Sequence, residues 1–264
     1  MKKILAIIPL LSLFISCEKE IELDLENSAP QIVIEGAVTD EDGPHYIKLS
    51  KSVNFYAQNQ FPAVTGATVT ITDNLGNSDV LTEVNDGLYE TNTIVGVPGN
   101  TYNLSVTVGT DNYYATSTMP KKVNLDSLRF ERGEDFEGYE YYSIIPIYRN
   151  PSTSGNYYRF IASINNFTDD TYYLKNDTNG IGQVNTSPIY NLDYTFINKN
   201  DSVEIEMRSI DRTTYNYFNT LSQVINAGPN GGITPINPLT NIKGKPALGI
   251  FSAYTTQTLK RKVE

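Results

Sequence analysis

The chain has 264 residues, with 30 acidic against 20 basic side chains, a net charge of −10, one cysteine, one histidine and no tryptophan. The acidic balance argues against a nucleic-acid face, which needs clustered Lys and Arg to meet phosphates, and against spreading on anionic lipid. A single cysteine excludes an internal disulfide, and a single histidine leaves no His/Cys cluster for zinc.

Residues 1–16 read as a targeting segment. Lys2 and Lys3 precede the apolar stretch Ile4 to Ile15, broken only by Pro9 and Ser12. It is shorter than the roughly 20 apolar residues a membrane-spanning helix requires. Phe14, Ile15, Ser16 and Cys17 then resemble the lipobox of bacterial lipoproteins, with Leu13 just before. The resemblance implies cleavage before Cys17 and lipidation of its sulfur and new amine. Each buried acyl CH₂ contributes about 0.8 kcal/mol, and two chains anchor stably. Residues 17–29 form an acidic tether in which Glu18, Glu20, Glu22, Asp24 and Glu26 repel one another and keep it solvated. Lys19 and the acids after Cys17 also resemble the surface-export signal of Bacteroidota lipoproteins. The expected location is the outer membrane, lipid-anchored and facing the cell surface.

The rest of the chain is rich in Tyr, Phe and Thr, which suit pleated, half-buried surfaces, and Gly and Pro supply turns. The fold class is mostly β. Residues 30–119 are expected to form an Ig-like β-sandwich. Strand patterns occur at residues 31–38, at YIKLS with Ile47 and Leu49 on one face, and at ATVTIT with Val69 and Ile71 on one face. Turns follow at residues 73–77 and at Asn85-Asp86-Gly87, the second a strong hairpin signal. TYNLSVTV directs Tyr102, Leu104, Val106 and Val108 to one side, and YYATSTM follows. Short strands at about 8 to 12 residue spacing fit a sandwich of about 100 residues. Its hairpins resemble bacterial Ig-like and carboxypeptidase-regulatory-like modules.

Residues 119–127 carry Pro120, Lys121 and Lys122 and read as a boundary. Residues 125–264 are expected to form a second β-rich sandwich or barrel-like domain with one inserted helix. Strand patterns recur at 141–148, 157–164, TYYL, IYNLDYTFI and SVEIEM. The helix is predicted near 211–226. Tyr217, Phe218, Leu221, Val224 and Ile225 recur at helical spacing, Asp211 is the N-cap, and Gly228 with Pro229 ends it. It is expected to pack as a lid on the second sheet. A Gly/Pro/Asn loop and the closing strand ALGIFSAYTT complete the chain.

CEKEIELDL, VIEGAVTDEDGPHYIKLSKS, GATVTITD, GNTYNLSVTV and INPLTNIKGKPALGIFSAY together resemble one Bacteroidota lipoprotein family, known as a domain of unknown function and encoded beside TonB-dependent receptors. The resemblance implies a location and a partner, a TonB-dependent outer-membrane receptor. It carries over no catalytic residue.

No chemical constellation stands out. His45 follows a turn and reads as solvated, so neither a catalytic nor a cofactor role is assigned. Calcium needs only oxygen ligands. Asp40, Glu41 and Asp42, or Asp169, Asp170 and Asp177, supply them without EF-hand spacing, so no metal is expected. Glu204 and Glu206 lie about 7 Å apart on one strand face by the strand rise and read as an exposed acidic face. The tyrosines Tyr139, Tyr141, Tyr142, Tyr157, Tyr158, Tyr172 and Tyr173 crowd the second domain, and such faces stack on sugars or bury peptides. Asp126-Ser127-Leu128 and Asp201-Ser202-Val203 resemble the Bacteroidota O-glycosylation tripeptide, marking Ser127 and Ser202. The loop 228–246 is long enough to be functional, so Asn230, Asn237, Asn241, Lys243 and Lys245 are the expected contact residues. The leading expectation is a non-enzymatic accessory or ligand-binding partner of such a receptor, with a glycan or peptide as ligand. A carboxylate-based glycan- or peptide-acting enzyme and an adhesive surface protein stay open.

Overall fold

The computed structural model describes residues 29–54, 60–134, 138, 140–189, 197–226 and 237–264. The leader, Cys17 and most of the tether lie outside them. Strands in the first part of the chain are β1 (Ile32–Thr39), β2 (Tyr46–Lys51), β3 (Thr68–Asp73), β4 (Ser78–Val80), β5 (Thr82–Asn85), β6 (Leu88–Glu90), β7 (Thr101–Val108) and β8 (Asp111–Thr118). Then come β9 (Leu125–Glu134), β10 (Glu140–Tyr148), β11 (Tyr157–Ile164), β12 (Phe167–Thr168), β13 (Tyr173–Asn176) and β14 (Ser202–Ile210). The helix α1 (Arg212–Asn226), β15 (Lys243–Gly244) and the long β16 (Ala247–Lys262) follow. The chain is mostly β, as expected, and among the described residues no sheet closes into a barrel.

Two hydrophobic cores form. In the first, β1, β2, β6 and β5 face the sheet β15-β8-β7-β3-β4. The period-2 alternation turns Ile34, Val38, Ile47 and Leu49 of one layer onto Val69, Ile71, Tyr102, Leu104 and Val106 of the other, all buried. In the second, Tyr158, Phe160 and Ala162 of β11 and Val203, Ile205 and Met207 of β14 pack on Leu125, Leu128, Ile144 and Tyr148 from the β9–β10 hairpin. Tyr148 meets Tyr158 edge-on with ring centroids 4.9 Å apart. Burial pushes both hydroxyls far above the usual tyrosine range.

The main sheet runs through both cores, because β16 belongs to each. Its first half pairs in parallel with β1, from Ile32 opposite Ala247 to Thr39 opposite Tyr254. Its second half pairs antiparallel with β14, from Ser209 opposite Thr255 to Ser202 opposite Lys262. Phe251 and Ala253 fill the first core, and Val263, just past the strand, lies in the second. The described residues of 30–119 therefore lie in a sandwich that also contains the first half of β16. The changeover between cores falls between Met119 and Val123. The expected boundary stretch ends inside a strand, since β9 begins at Leu125. Most of the expected strand IYNLDYTFI lies outside the described residues. The residues that bracket it, Ile189 and Ile197, are buried and bond the β10 backbone at Ile144 and Tyr142.

Asp211 caps α1 as predicted: its Oδ1 accepts the Thr214 N–H at 2.7 Å. Its Oδ2 accepts the Ser117 hydroxyl at 2.6 Å, and Ser117 Oγ accepts the Ala253 N–H at 2.8 Å. The cap thus fixes the helix where β8 meets β16. Thr214 also donates to Ser252 at 3.0 Å, holding α1 against the outer face of the main sheet.

Asp79 is a buried carboxylate with a comparable structural task. It accepts the backbone N–H groups of Asn92, Thr93 and Ile94 at 2.8, 2.7 and 2.9 Å, binding the β6–β7 connection to β4. Burial alone raises its pKa, but the three amides and the Asn92 side chain outweigh burial and hold it below the usual range. Its contribution to stability is complete above an ordinary aspartate pKa of about 4 and is lost as pH falls through the lower folded value. Asp79→Asn should cost about 2 kcal/mol at pH 7 in urea unfolding, the value of charge-assisted bonds. That difference should shrink on acidification below about pH 4.

Candidate functional site

The expected contact loop divides into working parts and surface. Asn230 lies outside the described residues and Asn237 is exposed. Asn241 is a structural clamp: its amide donates to Phe251 O at 2.7 Å and Thr116 O at 3.2 Å, and its Oδ1 accepts the Phe251 N–H. Its side-chain amide thus joins β8 to β16. Lys243 is exposed on β15, and Lys245 lies 3.6 Å from Asp111. Ser127 is half-buried in β9, and Ser202 is half-buried at the start of β14, with its N–H on Asn165 Oδ1.

His45 is buried rather than solvated. Its Nδ1 accepts the Thr39 N–H at 3.4 Å, and among the described residues its Nε2 has no partner. Burial lowers its pKa and favours the neutral ring. The acidic clusters also serve the fold. Asp40 bonds Lys122 at 2.9 Å and the Thr256 N–H at 2.7 Å, Asp169 ties down its own turn through the Thr171 N–H, and Asp177 accepts the Gly155 N–H and the Asn156 side-chain amide from the connection before β11. Among the described residues no three metal-binding side chains converge.

The outer face of the main sheet, under α1, gathers charge and aromatic rings. Alternation sends Tyr158 and Phe160 into the core, so Tyr157 and Arg159 point outward. Arg159 sits directly opposite Arg208 on β14, and Arg208 opposite Thr256 on β16. Glu206 does not form part of an exposed acidic face. It is half-buried, takes Arg208 Nε and Nη2 at 2.5 and 3.1 Å, and accepts the Thr256 hydroxyl at 2.9 Å. Glu204 is held by Lys260 at 3.3 Å.

Helix α1 covers this face with rings. Tyr215 lies 5.0 Å from Tyr157, and Phe218 stacks on Tyr172 at 5.4 Å. The Arg159 guanidinium lies over both members of that stack, 4.0 Å from the Phe218 centroid and 4.9 Å from that of Tyr172. Arg208 lies over Tyr254 at 4.6 Å. Burial, then the charge of Arg208, lowers the Arg159 pKa. For Arg208, burial is opposed and outweighed by the Glu206 bond, and its pKa rises. Burial pushes Tyr217 up to about 12.

A profile described as a domain of unknown function, DUF4249, matches residues 18–260. The chain belongs to the DUF4249 family. The DUF4249 match begins one residue after Cys17 and takes in all the described strands and the described helix up to the last two residues of β16. No curated protein matches the chain. Arg159, Arg208, Phe218 and Tyr172 all fall inside the DUF4249 region, and this cluster is what sequence reasoning missed. The signal was present in NYYRFIASI and SVEIEMRSI, where alternation puts each arginine opposite the apolar core positions. Their adjacency depended on strand order, which the sequence pattern does not contain. No helix among the described residues is long and apolar enough to cross a membrane.

Proposed function

We propose that this DUF4249 protein is a lipoprotein of the outer membrane, facing the cell surface, and a non-enzymatic accessory or ligand-binding partner of a TonB-dependent receptor. The observation that carries the reading is the placement of the only cysteine, Cys17, at the end of an apolar leader and the start of an acidic tether. A lipid at that position and a sheet beginning at Ile32 leave residues 18–31 as the link, which extends at most about 50 Å. That reach keeps the folded part beside the membrane and any receptor mouth within it. The half-buried aromatic and cationic face under α1 supports a binding role, since rigid rings give contact area at low entropic cost. The deciding measurement is affinity purification of the detergent-solubilised protein from its own envelope. A large outer-membrane barrel should co-purify in stable proportion, and its absence under mild detergent overturns the receptor assignment. Protease treatment of intact cells tests orientation: digestion is expected, and survival until lysis places the protein on the inner side.

A further inference from the structure

Arg159 is a half-buried cation whose Nε has no hydrogen-bond partner among the described residues. A guanidinium carries five N–H donors and cannot shed its charge at ordinary pH. Among the described residues none of these donors has a hydrogen-bond or carboxylate partner, and Nε is shut off from solvent. Its only contacts of note are the faces of Phe218 and Tyr172. Ring contact replaces part of the lost hydration but leaves the in-plane donors unused. The neighbouring cation, Arg208, is paired with Glu206 through two bonds. The site therefore holds two guanidiniums and one contacting carboxylate, Glu206, with the Glu41 charge also acting on Arg208 and Tyr254. Arg159 is half-buried beside α1, and of its nitrogens Nε alone is both shut off from solvent and without a partner.

From this geometry we infer that Arg159 is a ligand-binding residue for the carboxylate of a small organic acid, whose body rests against Phe218, Tyr172 and Tyr254. A planar carboxylate matches the guanidinium edge with two parallel N–H···O bonds. Charge selects among oxyanions. The free Arg159 fork matches one carboxylate, whereas a dianionic phosphate would add a second negative charge in a half-buried setting that already holds Glu206 and Glu41. The aromatic side chains supply a wall for an apolar or sugar body, so the predicted ligand class is a monocarboxylate with a ring. This inference stands apart from the lipid anchor and from the receptor, since it concerns the folded chain alone.

The test uses the full chain in non-ionic detergent, with glucuronate and phenylacetate as probes. Glucose, sodium chloride at equal ionic strength and inorganic phosphate are the controls. At least one carboxylate should raise the melting temperature saturably, by about 5–10 °C at roughly 100 times its Kd, with no such rise from glucose or chloride. Arg159→Met, which keeps the stem and removes the charge, should remain folded with an unchanged or higher ligand-free melting temperature. It should also weaken the carboxylate effect roughly tenfold or more. Arg159→Lys, which keeps the charge and loses the fork, serves as a second variant and should lose most of the effect. Lys121→Ala, at an exposed lysine between the two cores, should leave the effect intact. The inference is overturned if neither carboxylate gives a saturable shift, if both Arg159 variants respond like the wild type, or if phosphate stabilises more than either carboxylate.

Discussion

Gly249→Ala is expected to destabilise the whole molecule by about 3 kcal/mol, from a left-handed backbone penalty together with overpacking. Gly249 has φ of 97°, and a Cβ there would lie 2.1 Å from the Ile34 carbonyl oxygen. That oxygen belongs to the strand paired in parallel with β16, where Ile34 stands opposite Gly249. The contact is backbone on backbone, so no side-chain rotation relieves it. Loosening this pair withdraws Phe251 and Ala253 from the first core, and the same strand then carries the β14 ladder and leads to Val263 in the second. Both cores should therefore weaken together. Hydrogen exchange read by peptide should show β3 and β7 losing protection in step with β11 and β14. The melting temperature should fall by roughly 6–12 °C in one transition. If β11 and β14 keep wild-type protection while β3 and β7 open, the shared strand does not couple the two halves.

This coupling is also where sequence reading reached its limit. Alternation in YIKLS, TYNLSVTV and NYYRFIASI identified strands and their buried faces, because a period of two is a local property of the chain. The cap at Asp211 was legible for the same reason. The partner of ALGIFSAYTT was not: a parallel pairing with a strand some two hundred residues earlier leaves no local trace. Neighbours in sequence are neighbours in space for most strands but not for the last one, whose halves pair with β1 and β14. The strand β9 was missed because Pro120 and two lysines made its approach look like a linker, although Leu125 and Leu128 are buried on one side of it.

The same limit shaped the site. Long polar loops suggest contact surfaces, while Asn241 serves the fold as a three-bond clamp. His45 looked like a turn residue exposed to water, yet the Gly43–Thr91 neighbourhood buries it. Tyr157 and Tyr172 were visible as a tyrosine excess, but their value depends on Arg159 and Phe218 being brought beside them from β11 and α1. A charge cluster assembled from strands that meet only in the folded sheet cannot be counted along the chain.

Cys17→Ser should abolish lipid labelling outright, the largest biochemical change expected from any single substitution here. The argument rests on additive burial. At about 0.8 kcal/mol per acyl CH₂, one chain gives only marginal, reversible membrane binding, while two or more hold the protein permanently. Nothing else in the acidic chain compensates, because the residues after Cys17 repel anionic headgroups rather than bind them. Wild-type protein grown with radiolabelled palmitate should carry label and partition into the detergent-rich phase. The serine variant should carry none and, blocked from lipoprotein processing, should keep residues 1–16 and migrate as the heavier form. Placed behind an ordinary cleavable secretory leader, the same variant should be recovered in the soluble fraction with its sheet intact, since β1 begins well beyond residue 17. Label retained by the serine variant, or a bare sulfur on the wild-type protein by mass spectrometry, would remove the anchor and with it the membrane-proximal geometry on which a receptor partnership depends.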